Sequence, residues 1–276
     1  MAGLSSLNKK KRKGPSPKKV GLIAAIVITL ILAFIILSTP SGPAPEPEEL
    51  KVSEVLSGAV TNLEKKLTSK ESITGFVRVS SSEGELSSSF TSDITVDLPH
   101  KKASYSSTVP DYASGGTSDE SKNMKTYIVD GDSYSTTGNG TWTISTKDTS
   151  WNSGLFVNYN ILRLIQDSNP EITGAEKLGV EENYIIEAQP DFSDFIRSTA
   201  NEERVGITEV MSSLEGSTSK LTIKTWISKS ELLPSKTEAN LELSLTSGDS
   251  ITFQETITSN YGLATNIELP LEALDS

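Results

Sequence analysis

His100 is the only histidine in the 276-residue chain, and the chain contains no cysteine. Zinc sites in proteins are built mainly from several histidines and cysteines, so a multi-histidine or thiolate metal site is excluded. A thiol nucleophile, a disulfide and an acylated N-terminal cysteine are excluded for the same reason. His100 follows Pro99 at the end of a predicted strand and precedes two lysines, which predicts an exposed loop residue.

Carboxylate pairs are the remaining candidates for acid–base chemistry. Glu181-Glu182 and Glu202-Glu203 have the residue type that glycosidases use. The chain has 36 acidic residues, however, so adjacent pairs arise by chance and solvated faces explain them. Neither a Walker A motif nor a dinucleotide-binding glycine motif is present. We therefore predict a protein that is not an enzyme and carries no cofactor or metal.

Two short motifs coincide with predicted hairpin turns. Asp130–Asp132 (DGD) has the start of a calcium loop, but Thr141 stands where the glutamate at position twelve belongs, so a turn is the better interpretation. Asn139 begins the sequence NGT, the one N-glycosylation motif of the chain. Asn139 is a candidate glycosylation site, although the turn alone explains the Asn-Gly pair.

One apolar run divides the chain. Residues 20–38 begin with VGLIAAIVITLILAFIIL, which contains no charge. As a helix those eighteen residues would be about 27 Å long, close to the ~30 Å of a bilayer's hydrocarbon core. A cleaved signal peptide is the alternative, but signal cores are shorter, and prolines surround the candidate cleavage point. We predict an uncleaved transmembrane helix.

The flanks of this helix predict its orientation. Residues 1–19 form a head with seven basic residues and no acid, and without them the net charge of −11 becomes −18 for the rest. By the positive-inside rule the head is cytoplasmic and the acidic part extracytoplasmic. So acidic a domain disfavours nucleic acid as a partner. Residues 39–49 hold four prolines and three acids, which predicts an extended linker before a domain at 50–276.

The domain has the pattern of an α+β fold with an antiparallel sheet. An amphipathic helix is predicted at Leu50–Lys70, a second around Leu155–Ile165, and a third within Asp191–Leu214. Alternating stretches predict nine or ten strands, with Gly75 as a bulge or bend in the first. They are drawn from eleven candidate stretches: Ile73–Ser81, Glu85–Leu98, Lys102–Val109, Met124–Val129, Asp132–Thr137, Thr141–Thr146, Asn183–Ala188, Lys220–Ser228, Lys236–Thr246, Ser250–Ser259 and Ala264–Leu269.

The strand Glu85–Leu98 shows the clearest alternation. Its apolar positions share one face, whereas the positions between them are all polar. These apolar residues are either ordinary core or the lining of a ligand cavity. The candidates for such a lining are Leu86, Phe90, Ile94 and Val96.

The order of elements and several local phrases resemble the LolA/LppX-like family of extracytoplasmic lipoprotein and lipid carriers. The phrases are YIVDGDSYSTTGNGTW (127–142), KLGVEENYIIEAQP (177–190), TWISKSELLPSK (225–236) and NYGLATNIELP (260–270). The resemblance implies a curved, half-open sheet closed by helices around an apolar cavity for acyl chains. It implies no functional residues, because the family has no short signature. A transmembrane anchor in place of the lipid-bearing cysteine departs from that family's bacterial members and weakens a shuttling role.

We therefore expect a single-pass protein of the cell membrane whose extracytoplasmic domain binds a lipid or other hydrophobic ligand without catalysis. The alternative is a cell-surface interaction or sensory module with a packed core and a protein partner.

Overall fold

The structure is a computed structural model that describes residues 50–82, 84–110, 121–138, 141–146, 149–192 and 217–274. The basic head, the predicted transmembrane helix at 20–38 and the linker at 39–49 lie outside these residues. Within the described part of the chain, no helix combines the length and the apolar character that a membrane crossing requires.

Eleven antiparallel strands and a few short helices make up the described domain, as the α+β prediction expected. The helices are α1 (Val52–Glu64), α2 (Val157–Gln166) and α3 (Leu271–Leu274), with a 3₁₀ turn at Ser153–Leu155. The strands are β1 (Thr68–Ser81), β2 (Gly84–Asp97), β3 (Lys102–Pro110), β4 (Ser121–Val129), β5 (Asp132–Thr137), β6 (Thr143–Thr146), β7 (Glu171–Leu178), β8 (Glu181–Ala188), β9 (Thr218–Ser228), β10 (Pro234–Ser244) and β11 (Ser250–Tyr261).

All eleven strands belong to one sheet, in the order β6-β5-β4-β3-β2-β1-β11-β10-β9-β8-β7. Consecutive strands thus lie side by side except β6 and β7, which form the two opposite edges, and at the centre the first strand pairs with the last. We call the face that bears Ile73 and Ile257 the inner face, because α1 and α2 share its apolar core. The lower end of the sheet is where β1 begins and β11 ends, and the upper end is where β1 ends and β11 begins.

Helix α1 forms because its apolar residues recur on one side. Val55, Leu56, Ala59 and Leu63 are almost fully buried, and Glu54 accepts a hydrogen bond from the Lys51 backbone N–H at 2.6 Å, which stabilises the first turn. The predicted helix Leu50–Lys70 was too long, because Thr68 already pairs with Asp97 on β2.

Strand β1 therefore starts five residues before its predicted start at Ile73. The sequence hid this start because the first inward positions of β1, Ser69 and Glu71, are polar although both are buried. Gly75 is not a bulge, since the pairing of β1 with β2 and with β11 runs through it without a shift.

Two further strand predictions were wrong. β7 was missed because it is an edge strand exposed on both faces and therefore shows no alternation. Residues 264–269 form no strand, although they were predicted to close the sheet. Instead, the Lys102 side chain donates to the Ile267 carbonyl at 3.1 Å, and Thr265 donates to Asp97 at 2.5 Å. Side-chain hydrogen bonds thus hold this segment in place of a backbone ladder.

The predicted hairpin turn at Asp130-Gly131 is confirmed, since both residues have positive φ, 52° and 99°. The predicted third helix falls largely on residues 193–216, which lie outside the described part of the chain.

Candidate functional site

The four predicted cavity residues lie on the inner face of β2. Phe90, Ile94 and Val96 are buried within the main core, with 4%, 1% and 0% of their surface exposed, and Leu86 near the upper end is half-buried. Period-two alternation thus predicted their common face correctly. Their role as the lining of a ligand cavity stays a prediction.

Phe90 occupies space that a side chain at Gly75 would need. A Cβ atom placed on Gly75 would overlap the ring of Phe90, which lies directly opposite it on β2. The same ring stacks on Phe253 of β11, with 5.8 Å between the ring centroids and 7° between the planes. The absence of a side chain at Gly75 therefore lets two aromatic rings meet across β1.

Glu255 is a buried acid in this apolar setting. It pairs in register with Gly75 on β1 and with Ala239 on β10. Only 9% of its surface is exposed, and we find no hydrogen bond or ion pair to its carboxyl group within the described residues. Loss of hydration raises its pKa to about 7. Glu255 is thus a polar group without a partner inside an apolar face.

Glu71 is a second buried acid, at the lower end of the inner face. Its Oε2 accepts the backbone N–H of Val157 at 3.0 Å, at the start of helix α2. Burial raises its pKa to about 7, although hydrogen bonds from the backbone of Val157 and Asn158 and from Ser259 act in the opposite direction. Since α2 has no cap from its own preceding residues, this carboxylate caps the helix from the sheet.

A hydrogen-bond network around Asn158 joins α2 to the lower end of the sheet. The Asn158 side-chain amide donates to Ser259 Oγ at 2.7 Å and to Tyr261 Oη at 3.3 Å. Its carbonyl oxygen accepts from Thr237 at 2.7 Å, and Thr237 in turn lies 3.1 Å from Thr225. Because each member has a partner, the network explains how a fully buried asparagine is tolerated, and it indicates a structural role.

The two ends of the inner face therefore differ in chemistry. The lower end carries the helices, Glu71 and the Asn158 network. The upper end carries buried apolar side chains, among them Val77, Val79, Leu241, Leu243, Ile251 and Phe253. Glu255 lies between these two regions and is the first polar group on β11 below the apolar upper end.

The acids do not form a catalytic pair. Glu71 pairs with Ser259, four residues from Glu255 along β11, so the backbone positions of the two acids are offset by roughly 14 Å along the strands at ~3.4 Å per residue. Glycosidase carboxylates lie within about 10 Å of each other. Burial of both groups therefore gives no geometry for two-carboxylate hydrolysis.

The other residues considered for chemistry have structural partners. His100 is exposed, as predicted, and its Nδ1 lies 2.9 Å from Asp97 Oδ1. Burial acts to raise the pKa of Asp97, but hydrogen bonds from Thr265 and His100 outweigh it and lower the pKa. Glu181 accepts from Ser228 and Ser230, which lowers its pKa.

Glu182 forms an ion pair with Lys229 at 3.0 Å. The two adjacent acids thus have separate partners and do not form a joint acid–base site. Glu202-Glu203 and Asn139 lie outside the described residues, and glycosylation of Asn139 stays a prediction. Within the described part of the chain, no group of three or more metal-ligating side chains is close enough to hold a metal ion.

Glu71 and Glu255 were missed from the sequence, although a signal was present. In β11 the inward positions read Ile251, Phe253, Glu255 and Ile257. An acid at an apolar position of an alternating strand indicates a buried carboxyl group.

Comparison with known proteins gives structural similarity only. No protein-family model and no curated protein sequence matches the chain. Among solved structures it is similar to LprF from Mycobacterium bovis, with 11% identity, 83% of this chain and 99% of that chain covered, and a TM-score of 0.47. It is also similar to the lipoprotein LppX from Mycobacterium tuberculosis, with 10% identity, 78% and 97% covered, and a TM-score of 0.39.

A LolA superfamily protein from Nitrosomonas europaea is similar at 9% identity, with 80% and 96% covered and a TM-score of 0.25. LppX and the LolA superfamily are the names that the sequence resemblance indicated.

Proposed function

We propose that the chain is a membrane-anchored extracytoplasmic protein whose domain holds a lipid or another hydrophobic ligand without catalysis. The anchor is the apolar run at 20–38, with residues 1–19 in the cytoplasm. The domain follows the linker at 39–49, and its sheet curls into a half-open barrel around the inner face.

The apolar upper end of the inner face carries this proposal. The hydrogen bonds of Val157 and Asn158 in α2 to the sheet, at Glu71, Thr237, Ser259 and Tyr261, belong to the lower half. The upper half carries buried aliphatic and aromatic side chains centred on Phe90 and Phe253. An acyl chain of about 12 methylenes gains roughly 10 kcal/mol when it leaves water. Even at the low end of association costs, about 4 kcal/mol, roughly 6 kcal/mol of this gain remains. That corresponds to a Kd on the order of tens of micromolar.

The openness of the sheet supports the half-open shape. The terminal strands β6 and β7 lie at opposite ends of the strand order. Twisted sheets of about ten or more strands curl instead of staying flat. Curling brings the upper ends of several strands around one volume, which is the arrangement that an acyl chain needs.

Burial of Phe90, Ile94 and Val96 favours the second candidate, a surface interaction or sensory module with a packed core. Under that function these residues hold the domain together, and a protein partner binds elsewhere.

Photolabelling separates the two functions. The full chain would be placed in phosphatidylcholine nanodiscs and exposed to a dodecyl probe that carries a diazirine within its chain. A ligand-holding domain is expected to give saturable adducts on peptides from β1, β10 and β11, and excess unlabelled dodecanol should remove them. Absence of such adducts would reject the ligand proposal and favour the packed-core module.

Two tryptophan variants provide matched controls. Leu241→Trp adds volume at the apolar upper end and should reduce the adducts several-fold. Thr252→Trp places the same side chain on the opposite face of β11, where it should leave the adducts unchanged. Melting curves of both variants establish that each is folded.

A further inference from the structure

Among the residues that the structure describes, none gives Glu255 a structural role. Its inward neighbours along β11 are Phe253 and Ile257, and its cross-strand partners are Gly75 and Ala239. None of these side chains can donate a hydrogen bond. Ionised carboxylates are almost never buried unless they are paired or hydrogen-bonded. An isoleucine or valine at position 255 would continue the alternation of β11 without this cost.

The contrast with Glu71 makes this plain. Glu71 is buried more deeply than Glu255, with 2% against 9% of its surface exposed. Its Oε1 has no hydrogen-bond partner among the described residues, but its Oε2 accepts the Val157 backbone N–H and thereby caps helix α2. Its burial serves the fold. Glu255 lies two inward rows above Glu71, where Gly75 and Ala239 leave the smallest side chains of the neighbouring strands beside the carboxyl group.

We propose that Glu255 is a ligand-binding residue that accepts a hydrogen bond from the head of an alkyl ligand, an ammonium or a hydroxyl, and disfavours a carboxylate head. The proposal rests on the ligand-holding function above and names the class of ligand. The chain of the ligand lies along the apolar upper end, and its donor group satisfies Glu255.

Chemical complementarity supports this choice of head group. A carboxylate accepts hydrogen bonds, and its strongest partners are charged donors. An anionic head would face like charge in surroundings of low dielectric, where repulsion is strong. The inward residues beside Glu255 on β1 and β10 (Ile73, Val77, Thr237 and Leu241) include no cation that could neutralise a second anion.

The test compares three dodecyl photoprobes that differ only in their heads: ammonium, hydroxyl and carboxylate. Each is titrated onto the full chain in phosphatidylcholine nanodiscs near pH 8. At this pH the carboxyl group of Glu255 and that of the carboxylate probe are mostly ionised. Adducts on β1, β10 and β11 peptides are quantified by mass spectrometry. Comparison of wild type with a variant for the same probe cancels differences in bilayer partitioning.

We expect half-maximal labelling by the ammonium probe at about tenfold lower concentration than by the carboxylate probe, as a charge-assisted hydrogen bond implies. Glu255→Gln should raise the concentration needed for the ammonium probe about tenfold and lower that for the carboxylate probe. Glu242→Gln removes an exposed acid from the neighbouring strand β10 and should change neither. Glu255→Leu, which keeps the face apolar, provides a second variant if the glutamine variant does not fold.

The possible failures are distinguishable. If all three probes label the inner face equally, or if neither Glu255 variant changes their order, the assignment of Glu255 is wrong while the ligand-holding function stands. If no probe labels the inner face saturably, both are wrong.

Discussion

A buried carboxyl group makes folding sensitive to pH, and the inner face holds two. The pKa values of Glu71 and Glu255 are each raised to about 7 by burial. In the unfolded chain each returns to its ordinary value near 4.5. The folded state therefore binds more protons than the unfolded state between these two values, so stability falls as pH rises through this window.

Stability should accordingly be higher at about pH 5 than at about pH 8, by roughly 3 kcal/mol for each of the two groups. Urea unfolding at several pH values measures this. Asp97 acts in the opposite sense, but its lowered pKa places its loss of stability below about pH 4, outside the comparison. Glu255→Gln should remove about half of the slope, whereas Glu242→Gln should retain it. An unchanged slope in Glu255→Gln would contradict the raised pKa of this group.

The stability of the domain also depends on Gly75. Gly75→Ala places a methyl group where the ring of Phe90 lies, so the ring must leave its stacked position on Phe253. We expect a loss of about 1–3 kcal/mol in the free energy of unfolding. Gly174→Ala on the edge strand β7 is the matched control, because the nearest atom would be 3.9 Å away. Equal stability of the two variants would contradict the packing role of Gly75.

Residue-level prediction from the sequence succeeded where side-chain character alternates with period two. The inner-face placement of Phe90 and Ile94 required only that rule. The partner of Gly75 could not be predicted, because a glycine in a strand indicates a bulge and a close contact equally well.

Helix α2 shows how one element depends on another that is distant in sequence. Its N-terminal backbone groups need acceptors, and the residues before it provide none from their side chains. Glu71, 86 residues earlier, supplies the acceptor from β1. Local patterns could predict the extent of α2 but not its cap, since capping motifs are sought within a few residues of the helix.

Glu71→Ala should therefore destabilise the domain by about 1–3 kcal/mol, because the Val157 N–H loses its acceptor while it stays buried. Hydrogen exchange measures the local effect, and the amides of Val157 and Asn158 should exchange much faster relative to those of β2. Glu71→Gln keeps an acceptor oxygen and should therefore lose less of the free energy of unfolding than Glu71→Ala. If the alanine variant protects these amides as well as wild type does, the carboxylate does not cap the helix.

At the scale of the whole molecule, the order of strands is the feature that sequence patterns could not reveal. Period-two alternation tells which side chains share a face, but it does not tell which strands are neighbours. Hairpin turns predict the consecutive pairs, such as β4 with β5. The central pair joins Ser69 to Tyr261, and no local signal connects residues so far apart. The sheet contains edge strand β7, which was not predicted because it lacks alternation, and it lacks the strand predicted at 264–269.

The pairing of β1 with β11 also has a consequence for biosynthesis. A ribosome releases the chain from its N-terminus, so β1 emerges early and waits for nearly 200 residues before its second neighbour exists. Until then β1 to β6 and β7 to β10 are two separate half-sheets with unpaired backbone edges, the kind of edge on which polypeptides aggregate. A premature stop codon just before β11 would therefore not trim a border strand. It would leave the two half-sheets unjoined, so nearly the whole domain would become a substrate for the quality-control proteases of the compartment.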